Sequence, residues 1–290
     1  MTDVAFAGLF MAALGILLAW LLAQANKRLY VFEDPRIDQV EEMLPHANCG
    51  SCGMVGCRNF AEAVVAGQAE PGRCTVNTPD MNASIAKLLG VALGQVEKRV
   101  ARLACAGGAH VAYMRANYDG ISTCRAAATV GGGGKACAWG CLGIGDCATV
   151  CEFDAIRMND FDLPVVDAAR CTACGDCVEV CPKDLFSLQP IAHKLWVACK
   201  SHADGVTAEA QCEVACTACG RCVADAAPGL IHLENNLAEI DYTRNALAKP
   251  DCIERCPTGA IVWLEGNQTI KGKSAKKVFR ITPLPVAAKI

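Results

Sequence analysis

Cys171, Cys174, Cys177 and Cys181 follow one another at x2, x2 and x3 spacing and are closed by Pro182. This is the ligand run of a bacterial-type [4Fe–4S] ferredoxin. The third and fourth cysteines stand too close for a zinc ribbon, which needs two separated pairs. The run is part of a total of 21 cysteines in 290 residues. So many thiols mean either a disulfide-stapled secreted chain or a metalloprotein of a reducing compartment. Soft thiolates suit zinc as well as iron, so it is the spacing that selects iron.

Most of the cysteines fall on a ladder that repeats at an offset of 75 residues. Cys124, Cys137, Cys141, Cys147, Cys177 and Cys181 return as Cys199, Cys212, Cys216, Cys222, Cys252 and Cys256. Such a period marks a duplicated unit. In a two-cluster ferredoxin each cluster takes three thiolates from one run and the fourth from the other. That rule completes one set in the first copy, Cys151, Cys171, Cys174 and Cys177. It completes one in the second, Cys216, Cys219, Cys222 and Cys256. The first copy's other set, Cys141, Cys147 and Cys181, lacks a ligand because position 144 is Ile144. The second copy's other set keeps only Cys252, with Ala226, Ala246 and Lys249 at the remaining positions, so no cluster is expected there.

A further set stands nearer the N-terminus: Cys49, Cys52, Cys57 and Cys74, with Gly50, Gly53 and Gly56 letting the backbone turn around the thiols. Three regular sets and a spare Cys252 leave eight cysteines, enough for two more clusters. Two partitions are open. The preferred one puts Cys105 in place of the missing ligand, giving Cys105, Cys141, Cys147 and Cys181, with Cys124, Cys137, Cys199 and Cys212 shared between the copies. The other keeps Cys137 with Cys141, Cys147 and Cys181, leaving Cys105, Cys124, Cys199 and Cys212. Either way about five [4Fe–4S] clusters are expected, and no flavin or NAD.

The elements that must hold these thiols are small. Residues 58–69 read as a helix behind the first site. Apolar residues at Ile85, Leu88, Leu89, Val91, Leu93, Val96, Val100 and Leu103 read as a packing helix across 80–103. Residues 155–158 with 165–166, and 231–233 with 238–242, read as β-hairpins beside the clusters. The predicted fold is α+β: an N-terminal transmembrane helix, a small helical [4Fe–4S] domain, then two tandem bacterial-type ferredoxin modules. The expected divisions are an anchor (1–28), the N-terminal domain (29–92), a linker with extra cysteines (93–136), two modules (137–190 and 191–267) and a basic tail (268–290).

The anchor rests on residues 4–23, all apolar and long enough to span a ~30 Å hydrocarbon core as a helix. Lys27 and Arg28 follow it. The positive flank predicts a single-pass protein of the cytoplasmic membrane with its bulk in the cytoplasm. Ala23-Gln24-Ala25 imitates a signal-peptide cleavage site, but the positive n-region and short core of such a peptide are missing. With no charge inside it, the span anchors but offers no ion path. A net charge of −3 gives no reason to expect nucleic acid. Gly131 to Lys135 lacks the spacing of a phosphate loop and reads as a flexible turn. His46 reads as a surface residue, and Trp139, Trp196 and Trp263 as packing. Lys271, Lys273, Lys276, Lys277 and Arg280 form a solvated tail, or a patch for an acidic partner or membrane.

The membrane helix, the stretch NCGSCGMVGC with Cys74, then CAWGCLGIGDC and CTACGDCVEVCP, together resemble the B-subunit of the Rnf ion-translocating electron transport complexes, in its longer, multi-cluster form. The resemblance implies an iron–sulfur electron-transfer subunit of an oxidoreductase. Electrons would pass between soluble ferredoxin and partner subunits that carry flavins, NAD binding and the Na⁺ or H⁺ path. Two other readings remain: a polyferredoxin subunit of a different membrane oxidoreductase, and a reductase serving a redox sensor. No residue pattern supplies acid–base or nucleophilic catalysis.

Overall fold

The N-terminal apolar run folds as one helix, α1 (Thr2–Leu29). In the computed structural model, which describes residues 2–29, 33–94 and 97–286, every side chain of α1 from Phe6 onward is exposed. A helix apolar on all faces with no protein against it is suited to lipid. Lys27 and Arg28 sit in its last turn, where the helix dipole favours cations.

Three short helices make the N-terminal unit. Asp34 caps α2 (Pro35–Glu42), accepting from the Arg36 amide at 2.9 Å, and Pro35 opens the first turn. α3 (Cys57–Val65) starts on a cysteine. Thr78 caps α4 (Pro79–Leu89) through the Met81 amide at 3.2 Å, and Gly90 ends it at φ +67. Val40, Phe60, Val64 and Ile85 form the shared core, with Cys52, Cys57 and Cys74 packed against it. Arg58 joins α3 to α2 through Glu41 at 2.7 Å and through Asp38.

The helix expected across 80–103 is therefore two different things. The left-handed turn at Gly90 stops α4, and Val100 and Leu103 belong to a strand, β1 (Arg99–Leu103). Val96 lies outside the described residues. Next come α5 (Cys124–Thr129), α6 (Asp146–Thr149), the hairpin β2 (Ile156–Met158) and β3 (Pro164–Val166), α7 (Asp176–Val180) and β4 (Phe186–Pro190). β1 pairs antiparallel with β4, Leu103 opposite Phe186. The second module repeats the plan with β5 (Leu195–Val197), α8 (Gly205–Gln211), α9 (Arg221–Asp225), the hairpin β6 (Ile231–Glu234) and β7 (Leu237–Ile240), and β8 (Ile261–Glu265) with β9 (Gln268–Lys271). β5 pairs with β8, as β1 does with β4. Both expected hairpins form, each within a residue or two of its predicted limits.

Two segments differ from the expected divisions. The stretch expected as a linker holds β1, Cys105 and α5, so it is part of the first module. The stretch expected as a free tail begins with β9 and packs back: Lys276 and Arg280 both pair with Glu213, at 3.5 and 3.3 Å, and the Leu284 amide reaches the Ala109 carbonyl at 2.8 Å. Trp196 joins the modules through Nε1, which donates to the Leu103 carbonyl at 2.9 Å.

Phe60 is 1 % exposed at the centre of the N-terminal core. Phe60→Ala is expected to destabilise that unit by about 3–5 kcal/mol, read as a lower urea midpoint for loss of its helical signal.

Candidate metal centres

All 21 cysteines are free thiols, and 20 of them lie in five groups of four. The first group is built on the N-terminal helices. Cys57 opens α3, its amide held by Asn48 Oδ1 at 2.8 Å. A side chain at Gly56 would meet that same oxygen at 2.9 Å, so Asn48 would have to shift for any larger residue there. The Cys74 carbonyl accepts from Asn82 at 3.0 Å. Burial pushes the Cys74 thiol up, and the charges of Cys52 and Cys49 add to it.

The two regular module sets come together around identical loops. Cys171 to Cys174 and Cys216 to Cys219 both read CTAC, and each turns at an alanine of positive φ, Ala173 at +61 and Ala218 at +51, ahead of a left-handed glycine. Burial, and then Cys171, Cys174 and Cys151, push Cys177 up to about 12. Cys216, Cys219, Cys222 and Cys256 wall one small cavity together with Leu233 and Ile261.

The remaining eight cysteines sort in neither of the expected ways. One cavity is walled by Cys124, Cys141, Cys147 and Cys181, another by Cys105, Cys137, Cys199 and Cys212. Relative to the preferred partition, Cys105 and Cys124 have changed places. The reason lies in the strands. β1 carries the chain to Cys105 as β5 carries it to Cys199, with the Ala104 amide on the Leu185 carbonyl (2.8 Å) and the Ala198 amide on the Ala260 carbonyl (2.7 Å). The Cys105 sulfur accepts from the Gly107 and Cys141 amides at 3.4 and 3.5 Å. The Cys199 sulfur accepts from the Ser201 and Cys216 amides at 3.5 and 3.4 Å. Cys105 is thus the structural counterpart of Cys199, and the ladder pairing of Cys124 with Cys199 is a coincidence of spacing. Cys105 and Cys137 lie 32 positions apart but Cys199 and Cys212 only 13, so the first copy carries 19 extra residues. Those residues hold α5, which begins at Cys124. The Asp146 carboxylate accepts from the Cys124 amide at 2.8 Å and pins that helix start beside Cys147.

A residue that the sequence reading passed over sits between these two groups. Lys135 is 7 % exposed and lines the cavity of Cys105, Cys137, Cys199 and Cys212. Its ammonium donates to the Gly107 and Cys141 carbonyls. The glycines before it, Gly131 to Gly134, all adopt positive φ, which turns the chain inward. The run expected as a flexible turn is therefore a fixed one that buries a cation. A lysine with both neighbours in a glycine–cysteine segment was the available signal.

Of the other singled-out residues, Cys252 is 2 % exposed and packs with Leu230, Ile253 and Ile261 in the second module's core. Ala246 and Lys249 are exposed. His46 is exposed. Trp196 and Trp263 are buried as packing residues, and Trp139 meets His202 edge-on.

The donor chemistry fits iron–sulfur clusters. Thiols are gathered in fours among apolar walls, and further backbone amides point at sulfur in the first module, Ala101 to Cys171 at 3.4 Å and Leu185 to Cys181 at 3.5 Å. Burial pushes Cys141, Cys147, Cys199, Cys212 and Cys222 up to about 12, and neighbouring thiolates add to the shift. Such groups ionise together only against a bound metal.

Residues 44–76 match the family described as "Putative Fe-S cluster", and residues 136–186 match "4Fe-4S dicluster domain". The chain is 40% identical over 240 residues to the B-subunit of the Na(+)-translocating ferredoxin:NAD(+) oxidoreductase complex of Acetobacterium woodii, covering 83% of this chain and 72% of that protein. It is 38% identical over 266 residues to the B-subunit of the proton-translocating ferredoxin:NAD(+) oxidoreductase complex of Clostridium ljungdahlii, covering 91% and 94%. It is 37% identical over 251 residues to the B-subunit of the ion-translocating oxidoreductase complex of Methanosarcina acetivorans, covering 87% and 95%.

Because the buried thiols are raised well above neutrality, they are protonated in the metal-free chain at pH 7. Loading iron must displace those protons, so iron affinity is expected to fall as pH is lowered. Anaerobic reconstitution in weak buffer should release about one proton per ligand thiol beyond the protons lost by the incorporated sulfide, measured by pH-stat titration against a protein-free iron–sulfide blank.

Proposed function

Because this chain belongs to the B-subunit family of ion-translocating ferredoxin:NAD(+) oxidoreductase complexes, we propose that its five thiol groups act as one continuous electron path. The protein is an iron–sulfur electron-transfer subunit of a multi-subunit, membrane-associated oxidoreductase. That membership removes the ground for a redox-sensor reductase or an unrelated polyferredoxin. A [4Fe–4S] cluster supplies reversible one-electron storage; the chain supplies thiolate ligands, amide donors, burial and order.

The observation that carries the proposal is the contact between each group and the next. The N-terminal group meets the set of Cys151, Cys171, Cys174 and Cys177 where Thr75, beside Cys74, bonds the Thr172 carbonyl. Cys177 of that set lies close enough to Cys147 of the next for their charges to interact. The Cys141 amide donates to Cys105, linking the sets of Cys124 and Cys137. The Cys216 amide donates to Cys199, linking the shared set to the last one. Lys135, between two of these groups, places a cation where added electrons raise the negative charge, and so favours the reduced state there.

The line has two ends. Cys219 alone among the 21 cysteines is exposed, so the last set is the proposed point of exchange with a soluble carrier, reduced ferredoxin in the family's reaction. The N-terminal set follows the membrane helix and faces the multi-span and flavin- or NAD-binding subunits. The positive flank of α1 favours a cytoplasmic position for all of it. The relatives' names include both Na⁺ and proton translocation, and the apolar span holds no ionisable side chain. The ion path therefore belongs to other subunits, and the coupling ion is a property of the complex.

Iron analysis of anaerobically purified protein is expected to give about 20 iron atoms per chain, four for each cluster. Cys124→Ser should remove about four of them together with one EPR signal. Adding Ile144→Cys to that variant should restore both, because position 144 is the ligand position of an ordinary ferredoxin run. Cys252→Ser should leave the iron count unchanged. A Cys124→Ser protein with full iron and every EPR signal would overturn the ligand assignment.

A further inference from the structure

The joint between the N-terminal unit and the first module is made by side-chain hydroxyls that sit inside two ligand loops. Ser51 lies between Cys49 and Cys52, and Thr75 follows Cys74; Thr172 and Ala173 lie between Cys171 and Cys174. Thr75 Oγ1 donates to the Thr172 carbonyl at 2.6 Å. Ser51 Oγ lies 2.8 Å from Thr75 Oγ1 and 3.0 and 3.3 Å from the Thr172 and Ala173 carbonyls. Thr75 commits its one proton to Thr172, which leaves Ser51 to share its own between Thr75 and the two carbonyls. The left-handed turn at Ala173 belongs to the loop that presents those carbonyls.

The second module has the same CTACG loop, and there the corresponding carbonyl is covered differently. Gly205, at the start of α8, lies so close that a side chain on it would come within 2.6 Å of the Thr217 oxygen. The hydroxyl pair is thus particular to the joint between domains. Beside that joint runs an open groove of about 720 Å³, lined by Cys74, Thr75, Asn77, Lys98, Arg99 and Cys171. The open space there leaves the alignment of the two loops to the hydroxyl bonds. Electron tunnelling weakens steeply with separation, and a small rotation of the N-terminal unit would lengthen this link.

We propose that Ser51 and Thr75 are positioning residues that lock the N-terminal ligand loop onto the Cys171 to Cys174 loop and thereby set the rate of electron passage between the two sites. The proposal rests on the five-site reading above. It is tested on full-length protein purified anaerobically with its iron, comparing wild type, the double variant Ser51→Ala with Thr75→Val, and Thr75→Ser. Dithionite mixing with freeze-quench EPR reads the rate at which the two clusters share an electron. The spectrum of the fully reduced protein reads the broadening each cluster causes in the other.

The double variant should keep its iron, lose part of the mutual broadening, and exchange electrons at least twofold more slowly, because losing the bonds to the Thr172 and Ala173 carbonyls lowers the docked-to-undocked ratio by about a hundredfold. Thr75→Ser, which keeps the hydroxyl, should behave as wild type. A double variant with wild-type rate and broadening would overturn the proposal. So would loss of the N-terminal iron, since the hydroxyls would then serve that site's own fold. Wild-type protein lacking either cluster signal would overturn the five-site reading itself, and this proposal with it.

Discussion

Four buried thiols cannot share a small apolar cavity as thiolates unless a cation neutralises them. Cys177, Cys199, Cys212 and Cys222 are each driven up to about 12 by burial, with neighbouring cysteines adding to the shift. The rest of the architecture follows from that. The sheets have only two or three strands and the helices beside the thiols are short. The cysteines themselves are part of the cores, Cys147 and Cys177 with Phe186 in one module and Cys256 with Ile261 and Trp263 in the other. In modules this small a bound metal would add to the little hydrophobic interior they bury, so iron binding is expected to stabilise the fold.

The duplication and its damage are read differently once strand pairing is known. β1 with β4 and β5 with β8 are the same unit twice, and each strand delivers a cysteine, Cys105 or Cys199, to the boundary between the modules. The shared set therefore has one pair of thiols from each copy, with matching amide bonds to sulfur on both sides. The inserted α5 begins at Cys124, which lines the cavity of Cys141, Cys147 and Cys181, and its start is tied to Asp146. Cys252 has become a packing residue in a core of leucine and isoleucine.

On the proposed reading, function in this chain depends on the order of its thiol groups. Each group lies against the next, Cys219 of the last group is exposed, and the first group follows an apolar helix long enough to cross a membrane. The flanking elements hold a sequence of sites at short separation, and Lys135 adds a buried charge at the middle of the line.

Much of this could be read from residue spacing, because thiolate ligation is local. The x2-x2-x3 run at Cys171 to Cys181, the compact set at Cys49 to Cys74 and the apolar run of α1 each depend on near neighbours in the chain, and each announced its chemistry. The hairpins were also readable, since a short β-prone pair needs only its own turn. The helix assigned across 80–103 was misread because helical and strand periodicities overlap in a short apolar stretch, and only the left-handed Gly90 and the pairing with β4 separate them. What the sequence determined by itself was the cofactor type, the duplication and the long apolar N-terminal helix. Only the tertiary structure decided which of Cys105 and Cys124 joins which set, that Lys135 is buried, and that Ser51 and Thr75 clasp a distant loop. Those outcomes depend on β1 pairing with a strand more than eighty residues away, and no spacing along the chain encodes such a contact.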